Sequence, residues 1–110
     1  MHNRIAHALF AMVTLASAGR SLPADVRSAT PTVIIEGTRF EPETLSVRRG
    51  DSVVWTNKDP FPHTATALNG GFDSKNIAPN KSWRYKTKKS GVFPYFCTLH
   101  PMMKATLRVR

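Results

Sequence analysis

The sequence predicts an all-β fold, and three features carry that expectation. Short apolar runs alternate with turn residues along positions 31–110, and no segment there has an apolar stripe of helical period. Two segments, Ser82-Trp83-Arg84-Tyr85-Lys86 and Ala105-Thr106-Leu107-Arg108-Val109, alternate strictly. An extended strand puts successive side chains on opposite faces, so alternation buries one face and wets the other.

Taken in order, Thr32-Val33-Ile34-Ile35 is β-branched and apolar, a first strand. Leu45-Ser46-Val47 leads to the tight-turn signal Arg49-Gly50-Asp51, and Ser52-Val53-Val54-Trp55-Thr56 follows as the return strand of an expected hairpin. Asn57-Lys58-Asp59-Pro60 breaks that run. Positions 63–68 are strand-like, and 69–80 form a turn-rich connection with room for one helical turn. Positions 92–96 and 105–109 add two strands. Pro94 cannot donate to a ladder, so an edge or a bulge is expected there. About six to eight strands separated by turns imply a single-domain Greek-key β-sandwich or small barrel. Trp55, Trp83, Phe40, Phe72, Phe93 and Phe96 are its expected core aromatics.

With 110 residues the chain has room for one domain. Its start is of another kind. A cationic Met1-His2-Asn3-Arg4 precedes an apolar run over 5–18, and Ala16-Ser17-Ala18 has the small-x-small form of a cleavage site. That is the anatomy of a secretory signal, with cleavage after Ala18 or after Ala24. The run is shorter than the ~20 residues a membrane crossing needs. The expected organisation is therefore a signal over 1–24 and a soluble exported domain over 25–110, located in the periplasm and monomeric.

The formal charge is +9, and cleavage after Ala24 removes Arg4 and Arg20. The remaining basic residues are scattered beside strands rather than along one helix. This fits a solvated surface that attracts acidic partners, and it argues against nucleic acid. The single cysteine, Cys97, leaves no internal disulfide, and a lone thiol in an oxidising compartment asks for a reason. Metal ligation is one.

Beyond the signal, the candidate soft or borderline ligands are His63, Cys97, His100, Met102 and Met103, and four of them crowd into Cys97-Thr98-Leu99-His100-Pro101-Met102-Met103. A thiolate, two imidazoles and a weak thioether make a copper electron-transfer site. A structural zinc site would use more Cys or His and no Met. An enzyme is not expected, because a catalytic copper would need further histidines.

The segment from Gly91 through Met103 resembles the C-terminal copper loop of the cupredoxins, above all of their amicyanin and plastocyanin branch. Gly50-Asp51-Ser52-Val53-Val54-Trp55-Thr56-Asn57, followed by His63, is similar to that family's strand leading to its first histidine. The resemblance implies a cupredoxin-like fold and one copper ion held by His63, Cys97, His100 and Met103, with Met102 in the variable slot. It implies that Asn57 ties the first-histidine loop to Thr98; a plain turn residue is the other reading of Asn57. Thr64 stands where the family has asparagine, and its backbone N–H can still donate to the Cys97 sulfur. Implied too are an electron port at His100, Pro101, Met102, Phe61 and Pro62, and redox partners such as a cytochrome, dehydrogenase or reductase. The competing reading is a periplasmic copper-binding protein for storage, delivery or resistance.

Overall fold

The computed structural model describes residues 30–110, so the expected signal lies outside the described residues. Eight strands follow in order: β1 (Thr32–Ile35), β2 (Phe40–Glu41), β3 (Thr44–Val47), β4 (Ser52–Asn57), β5 (Thr66–Ala67), β6 (Ser82–Lys86), β7 (Gly91–Cys97) and β8 (His100–Val109). They form two four-stranded sheets, ordered β2-β1-β4-β6 and β3-β8-β7-β5. The β1/β4 and β3/β8 pairs are parallel, and the others are antiparallel. The all-β sandwich is the fold expected from the sequence.

The expected hairpin at 45–56 is not a hairpin. β3 joins β8 in one sheet, while β4 joins β1 and β6 in the other. The turn at 48–51 carries the chain between sheets, because its backbone is claimed elsewhere: Arg49 N–H donates to Arg110 O and Gly50 N–H to Thr87 O. Nor does the connection at 69–80 hold a helical turn. Ala65 N–H donates to Ser74 Oγ, Ser74 N–H to Ala65 O and Ala67 N–H to Phe72 O, so the segment is zipped against 63–67 instead. Pro94 lies inside β7 opposite Thr106 and not at a bulge. On the other side Leu68 N–H donates to Pro94 O at 2.9 Å, so the pairing there uses the proline's carbonyl and asks no N–H of it.

The core fills the space between the sheets. Val33, Ile35, Val53 and Trp55 face Tyr95, Ala105, Leu107 and Val109, all buried. Each large apolar side chain so buried contributes about 1.5–3 kcal/mol. Trp55 packs edge-on to Tyr95 at 5.6 Å and donates from Nε1 to its hydroxyl at 3.1 Å, so the two polar atoms inside the core satisfy each other. Burial raises the Tyr95 pKa further than that hydrogen bond lowers it. Trp83 and Tyr85 share a face of β6 and stack on each other at 5.7 Å. Phe96 differs from expectation: Tyr95 and Cys97 occupy the inner face of β7, so alternation leaves Phe96 half-buried on the other.

Candidate metal centre

At one end of the sandwich, β7 turns directly into β8. Cys97 ends β7 and His100 begins β8, and these two residues pair across the turn with a register shift between Phe96 and Cys97. The final strand therefore starts five residues earlier than its alternating part at 105–109. Cys97 shares the inner face of β7 with Tyr95, two residues before it, and its sulfur is fully buried. Along β8, Met103 continues the inward face of Ala105, Leu107 and Val109, whereas Met102 is 89% exposed. The strand's two-residue period thus distinguishes the two thioethers, turning Met103 toward the interior and Met102 to solvent.

His63 does not stand on a strand, as positions 63–68 had suggested. It lies in the crossover from β4 to β5, fixed by reciprocal backbone hydrogen bonds with Ile77 (His63 N–H to Ile77 O, 3.2 Å; Ile77 N–H to His63 O, 2.7 Å). Its ring is fully buried. His63 Nδ1 lies 3.6 Å from Cys97 Sγ and His100 Nδ1 lies 3.7 Å from it, and the three ligand atoms fall within 4.8 Å of one another. Two donors bound at ~2.3 Å (S) and ~2.0 Å (N) in a trigonal plane would stand roughly 3.7 Å apart. The sulfur–nitrogen spacings therefore match a trigonal site for one small ion, and the donor set is the one copper prefers.

The surroundings hold these donors in place. Thr64 N–H donates to Cys97 Sγ at 3.2 Å. His63 Nε2 lies 2.7 Å from Asp59 Oδ2. A carboxylate only accepts, so Nε2 carries the hydrogen and Nδ1 keeps its lone pair for the ion. Asp59 is buried and takes two more hydrogen bonds, from Gly37 N–H (2.7 Å) and Thr38 N–H (2.9 Å). Both donors sit at positive φ in the β1–β2 turn, a conformation that points adjacent N–H groups at one anion. Burial works to raise the Asp59 pKa; the Thr38 and Gly37 amides, and then His63, outweigh it and hold the carboxyl below its ordinary value. The sequence reading overlooked Asp59, although a carboxylate four residues before a candidate ligand histidine was a usable signal.

One expected contact is replaced. Asn57 does not reach Thr98. Its side chain donates to Phe61 O and Ile77 O and accepts from Asp59 N–H, each at 2.9 Å, and so staples the loop that presents His63. The tie to Thr98 comes from Thr64, whose Oγ1 accepts Thr98 N–H at 2.9 Å. Thr64 N–H already sits on the Cys97 sulfur, whereas the Asn57 side chain spends its hydrogen bonds on Asp59, Phe61 and Ile77.

His100 is half-buried. Phe61 packs on both histidines, 5.2 Å from the His63 ring and 5.5 Å from the His100 ring. Phe61, Pro62, Pro101 and Met102 are exposed there. Leu99, 47% exposed and not singled out from the sequence, joins them, and a shallow depression is lined by Thr38, Leu99, His100, Pro101, Met102 and Met103.

A two-sheet β-sandwich with a buried cysteine sulfur, two imidazoles and an inward thioether at one end defines the mononuclear copper proteins of cupredoxin type. Residues 5–109 match the cupredoxin-like domain family, and the chain belongs to it. Amicyanin-alpha of Methylorubrum extorquens is 25% identical over 107 residues, covering 93% of this chain and 90% of that protein. The chloroplastic plastocyanin of Tetradesmus obliquus is 35% identical over 72 residues, 56% of this chain and only 50% of that protein's length. The Cu(I) form of an amicyanin mutant superposes with a TM-score of 0.70 at 24% identity, over 78% of this chain and 87% of that one. A purple cupredoxin from Nitrosopumilus maritimus gives 0.67 at 25%, over 73% and 99%.

Proposed function

We propose that this protein is a small electron carrier that binds one copper through His63, Cys97, His100 and Met103 and passes single electrons between redox proteins. The observation that carries this reading is the convergence of Cys97 Sγ and two imidazole Nδ1 atoms within 4.8 Å, on elements already fixed by backbone pairing. When bound, copper supplies a one-electron Cu(II)/Cu(I) couple. The chain's residues do the rest. Thr64 N–H and the imidazole tautomer set by Asp59 hold the donors without rearrangement, which keeps the reorganisation cost of each transfer low. Burial of His63 and Cys97 keeps water from the donor atoms. No substrate needs to reach the donors, and the role is transfer rather than catalysis.

His100 is the port, at the centre of the exposed apolar group of Phe61, Pro62, Leu99, Pro101 and Met102. Such a patch suits the small, brief interfaces of redox encounters. Exposed Arg39, Lys58 and Lys104 add to a basic surface that favours acidic partners, with encounter rates falling as salt rises. Export to a periplasm rests on the apolar segment at 5–18. Among the described residues no helix is long and apolar enough to cross a membrane.

The test is an optical and electron paramagnetic resonance spectrum after adding Cu(II), with Cys97→Ala alongside. The expected result is an intense thiolate-to-copper band with a narrow hyperfine splitting, both lost in the variant. A colourless protein with ordinary copper signals would overturn the carrier reading and bring copper transport, or a zinc site, forward.

A further inference from the structure

The positive charge of the domain gathers at the end opposite the candidate copper site. β8 begins at His100 and finishes at Val109, so at ~3.3 Å per residue it separates the two ends by roughly 30 Å. Three segments meet at the far end. Arg49 N–H on Arg110 O ties the 48–51 turn to the end of the chain, and Gly50 N–H on Thr87 O ties it to the β6–β7 connection. Lys86 pairs with Ser52, and Arg108 with Val92. Arg48 and Arg49 on the turn thus adjoin Lys86, Lys88 and Lys89. Arg108 and Arg110 complete the group, and all of these side chains are exposed. One acid, Asp51, stands among them, and its Oδ2 already accepts Arg48 N–H at 3.0 Å. The far end therefore holds seven cations and one carboxylate, a side-chain charge of +6. The rest of the described residues hold six cations and five carboxylates, or +1.

This charge is badly placed to guide docking at His100. Screening in salt of physiological strength acts over about 8 Å, so charges roughly 30 Å away are out of reach. An acidic redox protein drawn to them would meet the end farthest from the copper ligands. Nor does the far end have the makings of a protein interface, whose centre is rich in aromatic anchors and poor in lysine. Of the large apolar side chains that stand exposed, only Val92 lies there. A spread of cations without anchors fits a surface of spread negative charge. We propose that this end docks on the anionic lipid headgroups of a membrane and holds His100 with its apolar patch outward. The chain enters the domain at the same end. Thr30 and Pro31 share an open depression with Arg48 and Arg110, so the segment before Thr30, with its apolar run, joins the domain on the proposed membrane side. The use of this orientation, a carrier diffusing in two dimensions with its port free, rests on the copper reading above; the docking itself does not.

The experiment measures binding to vesicles of phosphatidylcholine alone and of equal parts phosphatidylcholine and phosphatidylglycerol. Binding is expected only to the mixed vesicles and should weaken as salt rises. The Arg49→Gln/Lys88→Gln/Lys89→Gln variant, altered only at exposed side chains, should bind about 100-fold more weakly. Arg39→Gln/Lys58→Gln/Lys104→Gln removes as much charge near the other end and should leave vesicle binding almost unchanged. In the Cu(I) form, lipids with a gadolinium-bearing headgroup should broaden the NMR signals of 48–50 and 86–89 and leave 99–102 sharp. Equal losses in the two variants would reduce the effect to net charge, and equal binding to both vesicles would reduce it to the apolar segment; either overturns the proposal. So does broadening centred on 99–102. Absent vesicle binding, with electron exchange to an acidic protein slowed in the far-end variant alone, would give this end to a protein partner instead. A chain that never turns blue would sink the copper reading, while the vesicle series would still decide the docking.

Discussion

The two histidines of the site do different work, and the contrast between them explains the shape of this end of the molecule. His63 is fully buried, its backbone paired with Ile77 and its Nε2 held by a carboxylate that is itself clamped by two amides. His100 is half-buried at the rim, its backbone paired only across the turn to Cys97, its ring resting on Phe61. One side of the donor set is built to hold geometry and the other to give access. A carrier needs both, since rigid ligands keep reorganisation small while one exposed ligand edge shortens the path to a partner.

Removing each imidazole tests this contrast most severely. His63→Gly and His100→Gly should both lose the blue band. Added imidazole should restore it only in His100→Gly, where the missing ring leaves an opening to solvent. His63→Gly leaves its gap inside the fold and strips Asp59 of a hydrogen-bond partner. Losing a hydrogen bond to a charged group costs about 1.5–3 kcal/mol, which a denaturation midpoint would register. Equal rescue of both variants would erase the distinction.

Much of this difference could be read in the sequence, and the part that could not has a physical cause. Cys97, His100 and Met103 lie within seven residues around the β7–β8 turn, so spacing alone keeps them near one end of the strands. Strict alternation showed the inward face of β8 and the paired Trp83 and Tyr85. The hairpin expected at 45–56 failed because a turn signal does not say whether the chain stays in its sheet; that depended on Arg110 and Thr87, far along the chain. Asp59 was passed over because Asn57-Lys58-Asp59-Pro60 has the composition of an ordinary turn. Its role appears only when the positive-φ amides of Gly37 and Thr38 arrive from a different strand pair. The backbone bridge between Thr66 and Asp73 likewise needs the extended pairing of a segment that had room for a helical turn.

A milder change separates Asp59 from the ligand it supports. Asp59→Asn keeps the shape but loses the charge on His63, and copper affinity should fall about 10–100-fold. Cu(II) should be weakened more than Cu(I), which raises the potential. The same variant has a sign that can be checked without metal. The folded-state pKa of Asp59 is depressed below its ordinary value of 3.8. Its contribution to stability is therefore present above that value and is lost as pH falls through the folded-state value. In urea titrations across acidic pH, Asp59→Asn should flatten the low-pH decline. An unchanged decline would mean that the buried carboxylate adds nothing to the folded state.

The smallest expected effect falls on the access side, at Met102. Its side chain stands almost wholly in water beside Pro101, so Met102→Ala removes little buried surface and should move stability by no more than about 0.5 kcal/mol. The blue band should stay where it is, because the β8 alternation turns Met103, not Met102, to the interior. What should change is the rate of electron exchange with a partner protein, as one apolar contact is lost beside His100. A spectrum that shifts in Met102→Ala and not in Met103→Leu would reverse the assignment. The thioether would then come from the exposed side, and the division between a holding face and an access face would no longer run between these two neighbours.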